Sequence, residues 1–228
     1  MGGDPVGRRA LRKARTRAEV RATAQRLFAE RGFDVVTIAD VATAADVAVQ
    51  TVFNHFDSKE ALFFDGHTSW VDGPARAVRE RAPGTSPLTA LRTFFEKDVT
   101  AYLTQLGAAE ERRHLETLSR STTLVMRERE LMVQSGYQLT EVLLDALQPA
   151  EGTDPALVRM VGALTSGLFL AAVRVLVMEH RAAILAGSSA LERATAMRQA
   201  VAVTFATVEQ GVRSLAEQLG VSPDGPLA

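Results

Sequence analysis

Residues 37–62 have the sequence TIADVATAADVAVQTVFNHFDSKEAL and contain the signals of a helix pair. Thr37 and Asp40 match a capping box, so a short helix is predicted to begin at Ile38. Asp46 follows this helix and tolerates the left-handed backbone of a tight turn. The apolar residues after the turn again have helical spacing. The stretch therefore predicts a helix, a short turn and a second helix.

Capping boxes also predict one helix on each side of this pair. Asp57 with Glu60 marks the start downstream, and Thr16 with Glu19 marks the start upstream. The second helix of the pair is predicted to expose uncharged polar groups, which hydrogen bond to base edges and do not repel phosphate. This pattern is typical of a helix-turn-helix whose second helix lies in a DNA major groove. The exposed polar residues are Gln50, Thr51, Asn54 and His55.

Residues 16–62 resemble the DNA-binding domain of TetR-family transcriptional regulators, over about a fifth of the chain. The resemblance implies an all-α protein, in which an N-terminal three-helix domain is followed by a helical ligand-binding and dimerisation domain. It is carried by Phe28, Gly32, Phe33, Thr37, Ile38, Ala39, Val41, Ala42, Ala45, Val47, Thr51, Phe53, His55, Phe56, Lys59 and Leu62.

Three positions depart from the family pattern. Asp46 stands where Gly is usual, and Phe53 stands where Tyr is usual, so no tyrosine hydroxyl is available for a phosphate. Ala48 replaces a serine that caps the second helix of the pair. The loss of this cap is expected to weaken the start of the helix by about 1 kcal/mol.

The charge of the chain is unevenly distributed. The 228 residues have a formal net charge of −1, which by itself argues against a nucleic-acid partner. Residues 1–33 nevertheless contain nine Lys and Arg against three acids, a balance of +6, which leaves −7 for the rest. The basic segment adjoins the helix-turn-helix, as expected for contact with phosphate.

The sequence predicts an all-α, cytoplasmic protein. It contains no cysteine, so it has no disulfide or thiolate metal site. The arginine-rich N-terminus lacks a secretory signal, and the uncharged run at 160–173 has 14 residues, too few to span a bilayer. The predicted parts are a flexible basic arm at 1–15, the helix-turn-helix domain at 16–62, an effector-binding and dimerisation domain at 63–218 and a flexible tail at 219–228.

Two features of the C-terminal part bear on its architecture. A helix from Ser58 to about Arg81 is predicted, with a kink or break near Gly73. The later helix through 160–173 is apolar nearly all round and must be buried on more than one side. Such a helix also occurs in ordinary monomer cores. The TetR resemblance implies that the last two helices pair with those of a second subunit, with the reading helices roughly 34–36 Å apart.

The expected DNA contacts fall into three roles. Gln50 and Asn54 suit adenine edges, and Val49 or Thr51 suits a thymine methyl group. The phosphate contacts expected at the helix termini come from Thr37, His55 and Lys59. The complete predicted set is Arg15, Arg17, Thr37, Val49, Gln50, Thr51, Phe53, Asn54, His55 and Lys59.

The TetR resemblance implies a mainly apolar effector cavity in the C-terminal domain. Any one of its candidate aromatic residues is alternatively a plain core residue. Arg174 lies in an apolar helix, so it is expected to need an acidic partner or an anionic ligand unless its side chain snorkels to solvent. The candidates are Trp70, Phe94, Phe95, Tyr102, His114, Thr117, Ser121, Met126, Tyr137, Thr165, Phe169 and Arg174.

The sequence predicts a sequence-specific regulator without a catalytic function. No phosphate-binding, dinucleotide, zinc-protease or serine-hydrolase motif occurs, and the four histidines lack paired-ligand spacing, so no cofactor or metal is expected. The favoured interpretation is a homodimeric repressor that binds a palindromic operator and is released by a small, partly apolar effector. Two alternatives stay open, an architectural DNA-binding protein without an effector and a helical carrier or enzyme with a vestigial N-terminal domain.

Overall fold

The computed structural model describes residues 5–106 and 108–222, and these are helical almost throughout. The all-α class and the N-terminal helix-turn-helix are therefore confirmed. The chain divides into two compact units. The N-terminal unit contains the residues up to Thr68 together with Arg113–Glu128, and the C-terminal unit contains Ser69–Arg112 and the residues from Arg129 onward.

The N-terminal unit has a small aromatic core. The rings of Phe28, Phe33 and Phe63 lie 5.1 to 6.0 Å apart and are all buried. The capping box predicted at Thr37 is present, since its hydroxyl accepts from the Asp40 amide at 3.1 Å. The first four helices of the unit are α1 (Pro5–Arg31), α2 (Ile38–Ala44), α3 (Val49–Phe53) and α4 (Lys59–Phe64).

The predicted flexible arm is wrong for residues 5–15, which form the first turns of α1. The helix therefore begins well before the capping box predicted at Thr16. Residues 8–31 contain neither glycine nor proline, and Ala, Leu, Arg and Lys are strong helix formers. Residues 1–4 of the predicted arm lie outside the described residues.

The helix predicted from Ser58 to Arg81 is interrupted at residues 65–68, before the break expected near Gly73. Gly66 has a φ of +85° there, a backbone conformation that glycine adopts without strain. Pro74 lies inside the next helix, although it cannot donate a hydrogen bond to the carbonyl of Trp70. The Ser135 hydroxyl donates to that carbonyl at 3.1 Å, which compensates for the missing bond.

The C-terminal unit is built around three stacked rings. Phe95, Phe169 and Phe205 are at most 1% exposed, with ring centroids 5.5 to 6.1 Å apart. The remaining helices of the chain are α5 (Ser69–Arg79), α6 (Pro87–Gln105), α7 (Ala109–Arg120), α8 (Thr122–Ala146), α9 (Pro155–Leu185) and α10 (Ala190–Gln218). Helix α6 packs against α5, α9 and α10.

The chain contains one short antiparallel pairing that the sequence pattern did not predict. Strand β1 (Gln148–Pro149) pairs with β2 (Val221–Ser222), and Val221 is fully buried. The tail predicted to be flexible from residue 219 is therefore structured as far as Ser222. Its last residues, 223–228, lie outside the described residues.

Gly73 is expected to be intolerant of a side chain, because an added Cβ would lie 2.5 Å from Cζ of Phe94. We predict that Gly73→Ala lowers the free energy of unfolding by roughly 1–3 kcal/mol, measured by urea denaturation. Gly136→Ala is the control, since its Cβ would meet Leu170 at an ordinary 3.5 Å. The control should be neutral or stabilising, and equal losses in both variants would contradict the packing argument.

Candidate nucleic-acid interface

The turn before α3 adopts the strained geometry that its sequence predicts. Asp46 has a φ of 52°, and among the described residues other than glycine it alone has a positive φ. The amide of Val47 donates to the carbonyl of Ala42 at 3.0 Å and closes the turn. Helix α3 then buries Val52, which is 0% exposed. A single apolar anchor thus orients a five-residue helix.

The rest of α3 presents a mixed polar and apolar surface. Gln50 and Asn54 are exposed and hydrogen bonded to each other, with Nε2 of Gln50 donating to Oδ1 of Asn54 at 3.2 Å. Val49 and Phe53 are 41% and 45% exposed, which is unusual for large apolar side chains. Thr51 is half-buried. The predicted reading residues therefore lie together on one short helix.

Arg17 joins α1 to the C-terminal end of α3. Its guanidinium donates to the carbonyl oxygen of His55 at 2.5 Å and to Oδ1 of Asp65 at 2.5 Å. The same group lies 4.4 Å from the ring centroid of Phe56. These contacts hold the reading helix in place, and a phosphate would have to share the remaining donors. Asp65 has no motif around it, so sequence reasoning missed its role.

Lys59 is similarly occupied within the protein. Its ammonium donates to the carbonyls of Phe33 at 2.9 Å and Val36 at 3.0 Å, and it lies 4.3 Å from the centroid of the Phe33 ring. An ammonium has three protons, so one remains for a phosphate. Lys59 therefore stabilises the loop before α2, and its predicted contact with DNA stays a prediction.

Two further phosphate candidates also make contacts within the protein. The Thr37 hydroxyl donates to Oδ2 of Asp40 at 2.6 Å, and the bonds from Thr37 lower the pKa of that carboxyl. Arg15 donates from Nε to Oε1 of Glu19 at 2.7 Å, although both side chains are exposed. An exposed pair of this kind is weak and readily exchanged for a phosphate contact.

The environment of His55, at the end of α3, favours the neutral form of its side chain. Burial, followed by the charges of Lys13 and Arg17, lowers its pKa. Its Nδ1 is buried and has no hydrogen-bond partner. The imidazole is therefore uncharged near neutral pH, and an approaching phosphate would favour its protonated form.

An aromatic stack and a hydrogen bond attach residues 113–128 to the rest of the N-terminal unit. The His114 ring lies parallel to Phe63 at 4.1 Å and to His67 at 3.9 Å, measured between ring centroids. Ser121, which is 2% exposed, donates to Oδ1 of Asp34 at 2.9 Å. Both residues were predicted as effector contacts, and both contribute to the packing of this unit, so their contact with an effector stays a prediction.

The effector candidates are divided between the two units. His114, Thr117, Ser121 and Met126 belong to the N-terminal unit, and the other eight belong to the C-terminal unit. Phe95 and Phe169 lie in the central ring stack, and Thr165 is fully buried with its hydroxyl bonded to the carbonyl of Val161 at 2.7 Å. Three candidates are exposed, Arg174, Tyr137 at 73% and Met126 at 49%. Arg174 is exposed, so its predicted acidic partner or anionic ligand stays a prediction.

The remaining candidates lie partly buried in the C-terminal unit, where the structure adds a residue that sequence reasoning set aside. Phe94 packs on Gly73, and the Tyr102 hydroxyl accepts from Nε of Arg181 at 2.5 Å. His180 is 0% exposed, and neither ring nitrogen has a hydrogen-bond partner. Burial lowers its pKa.

These observations define the chain as a helix-turn-helix protein in which α3 carries the predicted reading residues. Residues 20–65 match the family described as bacterial regulatory proteins, TetR family. The HTH-type transcriptional repressor KstR2 of Rhodococcus jostii is 42% identical over 50 residues, 22% of this chain and 24% of that protein. The match thus spans about a quarter of the relative. Residues 20–65 are therefore similar to the DNA-binding domain of TetR-family regulators.

Solved structures of regulators match over more of the chain at low identity. A SmeT–triclosan complex is 17% identical, with a TM-score of 0.49, over 84% of this chain and 90% of that one. Native NalD, the secondary repressor of the MexAB-OprM multidrug efflux pump in Pseudomonas aeruginosa, is 22% identical, with a TM-score of 0.46, over 83% and 96%. The similarity to the TetR family depends on the N-terminal match alone.

Restoring the missing cap is expected to stabilise the reading helix. Ala48 is the N-cap of α3 and makes no side-chain hydrogen bond. Ala48→Ser should therefore raise the free energy of unfolding by about 1 kcal/mol in urea denaturation. The matched control is Ser58→Ala, which removes a cap bonded to the Ala61 amide at 3.0 Å and should cost a similar amount. An unchanged midpoint for Ala48→Ser would refute the capping argument.

Proposed function

We propose that this protein is a sequence-specific transcriptional repressor that binds a palindromic operator as a homodimer. The observation that carries the proposal is the exposed face of α3, where Gln50 and Asn54 stand between the apolar side chains of Val49 and Phe53. Amide groups pair with base edges and apolar groups contact thymine methyls, so this face suits a major groove. The name of the repressor KstR2 supports repression as the output.

Each part of the reading surface has a distinct proposed role. Gln50 and Asn54 already share a hydrogen bond, which limits the freedom of both amides before DNA arrives. Such preorganisation reduces the entropy cost of base recognition. The backbone contacts come from the ends of the helices, where Thr37, His55 and Lys59 lie, and from Arg15 and Arg17 of α1. A cytoplasmic location accompanies this proposal, since operator DNA lies there.

The homodimer is supported by an apolar stripe on α9. Its large side chains recur at intervals of three, four and seven residues and are therefore on one face of the helix. Each is at least 40% exposed, which is a high value for a continuous stripe. The stripe consists of Met160, Leu164, Leu168, Val175, Met178 and Leu185, and Val203 of α10 is also exposed.

A second protein subunit suits this stripe better than a lipid bilayer. Helix α9 is long and apolar enough to cross a membrane by length and composition alone. It carries exposed Arg174 and Glu179 beside the apolar side chains, however. Charged side chains are costly in the middle of a bilayer but are tolerated at the edge of a protein interface. We therefore assign the stripe to a four-helix contact between two copies of α9 and α10.

Release by a small, partly apolar effector completes the proposal. The C-terminal unit holds polar groups among apolar helices, notably Tyr102, Arg181 and His180. An effector that prefers a different separation of the reading helices weakens DNA binding. Because the coupling between two sites is reciprocal, bound DNA weakens effector binding by the same factor. Phe95 and Phe169, two of the effector candidates, stack with Phe205 in the core. This packing favours the alternative of an architectural DNA-binding protein without an effector.

Selection of duplexes from a random pool by the purified protein tests the DNA-binding proposal. The wild-type protein should recover one inverted repeat, and Gln50→Ala should relax the preference at one position of each half-site, by about 1–3 kcal/mol. Gln134→Ala makes the same chemical change at an exposed site on α8 and should leave the motif intact. Unselected binding by the wild-type protein would reject the sequence-specific function.

The dimer is tested by placing a charge in the apolar stripe. Leu168 is 45% exposed, and a glutamate there would be buried against the second subunit. Leu168→Glu should therefore convert the dimer to a monomer in sedimentation equilibrium while the circular dichroism spectrum stays helical. Val133→Glu is the control, because Val133 is 58% exposed on α8. A dimer that survives Leu168→Glu would place the interface elsewhere.

A further inference from the structure

The first turns of α1 extend beyond the core of the N-terminal unit. Val20 is the first buried residue of the helix, whereas every described side chain from Arg8 to Arg15 is exposed. A helix rises 1.5 Å per residue, so the segment from Pro5 to Arg17 is about 18 Å long. Packing within the protein does not account for this extension.

Basic side chains lie on two faces of the extension. Arg9, Lys13 and Arg17 recur every four residues and form one row along the helix. Other basic residues are turned away from the middle of this row, Lys13, by about 100° to 160°. They are Arg8, Arg12 and Arg15.

The row leads away from the C-terminal end of α3. Arg17 is fixed there by its hydrogen bond to the His55 carbonyl. Lys13 lies one turn earlier, and its charge is among the causes that lower the pKa of His55. The Lys13 ammonium is therefore within electrostatic reach of the reading helix. Arg9 continues the row by a further turn, about 6 Å along the helix.

The position of the row points to the sugar–phosphate backbone. Recognition helices read base edges mainly with their N-terminal residues, and phosphate contacts fix their register. The row starts at the opposite end of α3. We propose that Arg9 and Lys13 bind phosphates of the operator beyond the base pairs read by α3. This inference rests on the proposed DNA-binding function and adds a second contact region to it.

The helical state of the extension decides which part of the DNA it contacts. A helix with its side chains is about 10–12 Å across, whereas the minor groove of B-DNA is about 6 Å wide. A helical extension therefore lies against the backbone and does not read minor-groove bases. Its length of about 18 Å equals roughly five base pairs at 3.4 Å each.

The test uses the full-length protein and the duplex that it selects from a random pool, prepared with and without five extra base pairs at each end. Affinity is measured as a function of salt for the wild type, for Arg9→Ala/Lys13→Ala and for Arg8→Ala/Arg12→Ala. The two variants lose the same charge from faces of one helix that are about 100° apart. On the long duplex, the first should lower the salt slope by about 1.8 per bound subunit, and the second should not.

The wild type should also bind the long duplex more tightly than the short one, and Arg9→Ala/Lys13→Ala should abolish that difference. Equal losses of slope in both variants would overturn the proposal in favour of a diffuse charge effect. Altered base preference in the flanks would indicate a minor-groove arm instead. If no duplex is selected, the proposed sequence-specific binding fails. The salt slopes of the two variants on a mixed-sequence duplex still decide whether Arg9 and Lys13 bind phosphates.

Discussion

The reading helix α3 is too short to hold its own shape, and the rest of the N-terminal unit compensates for this. A five-residue helix has almost no stability in water, and α3 buries only Val52. Its position depends on a left-handed residue, Asp46, at one end and on the Arg17 hydrogen bond at the other. Asp65 in turn orients Arg17. The position of α3 is thus determined by residues outside the helix itself.

This constraint separates two kinds of basic residue in one charge-rich segment. Arg17 and Lys59 use their donors on backbone carbonyls, so part of their charge serves the fold. Arg9 and Lys13 lie on an exposed helix that the core does not require. The net positive charge of the N-terminal segment therefore combines structural cations with cations that face solvent. Only their hydrogen-bond partners distinguish the two.

The C-terminal unit likewise contains two kinds of apolar residue, those buried in its core and those exposed on its surface. Phe95 and Phe169 stack with Phe205 in the core, while Leu168, next to Phe169 in the chain, is 45% exposed. Both environments are compatible with a helix that is apolar nearly all round. The sequence predicted that this helix is buried on more than one side, whereas the structure leaves the face with Leu168 exposed.

Local signals in the sequence determined the helix class, the capping box at Thr37, the left-handed turn at Asp46 and the composition of the reading face, because these depend on neighbours in the chain. Tertiary structure alone decided that Arg17 bonds to His55 and that Arg174 is exposed. It also decided that residues 113–128 belong to the N-terminal unit and that β1 pairs with β2. These features join residues distant in sequence, and no periodicity encodes such contacts.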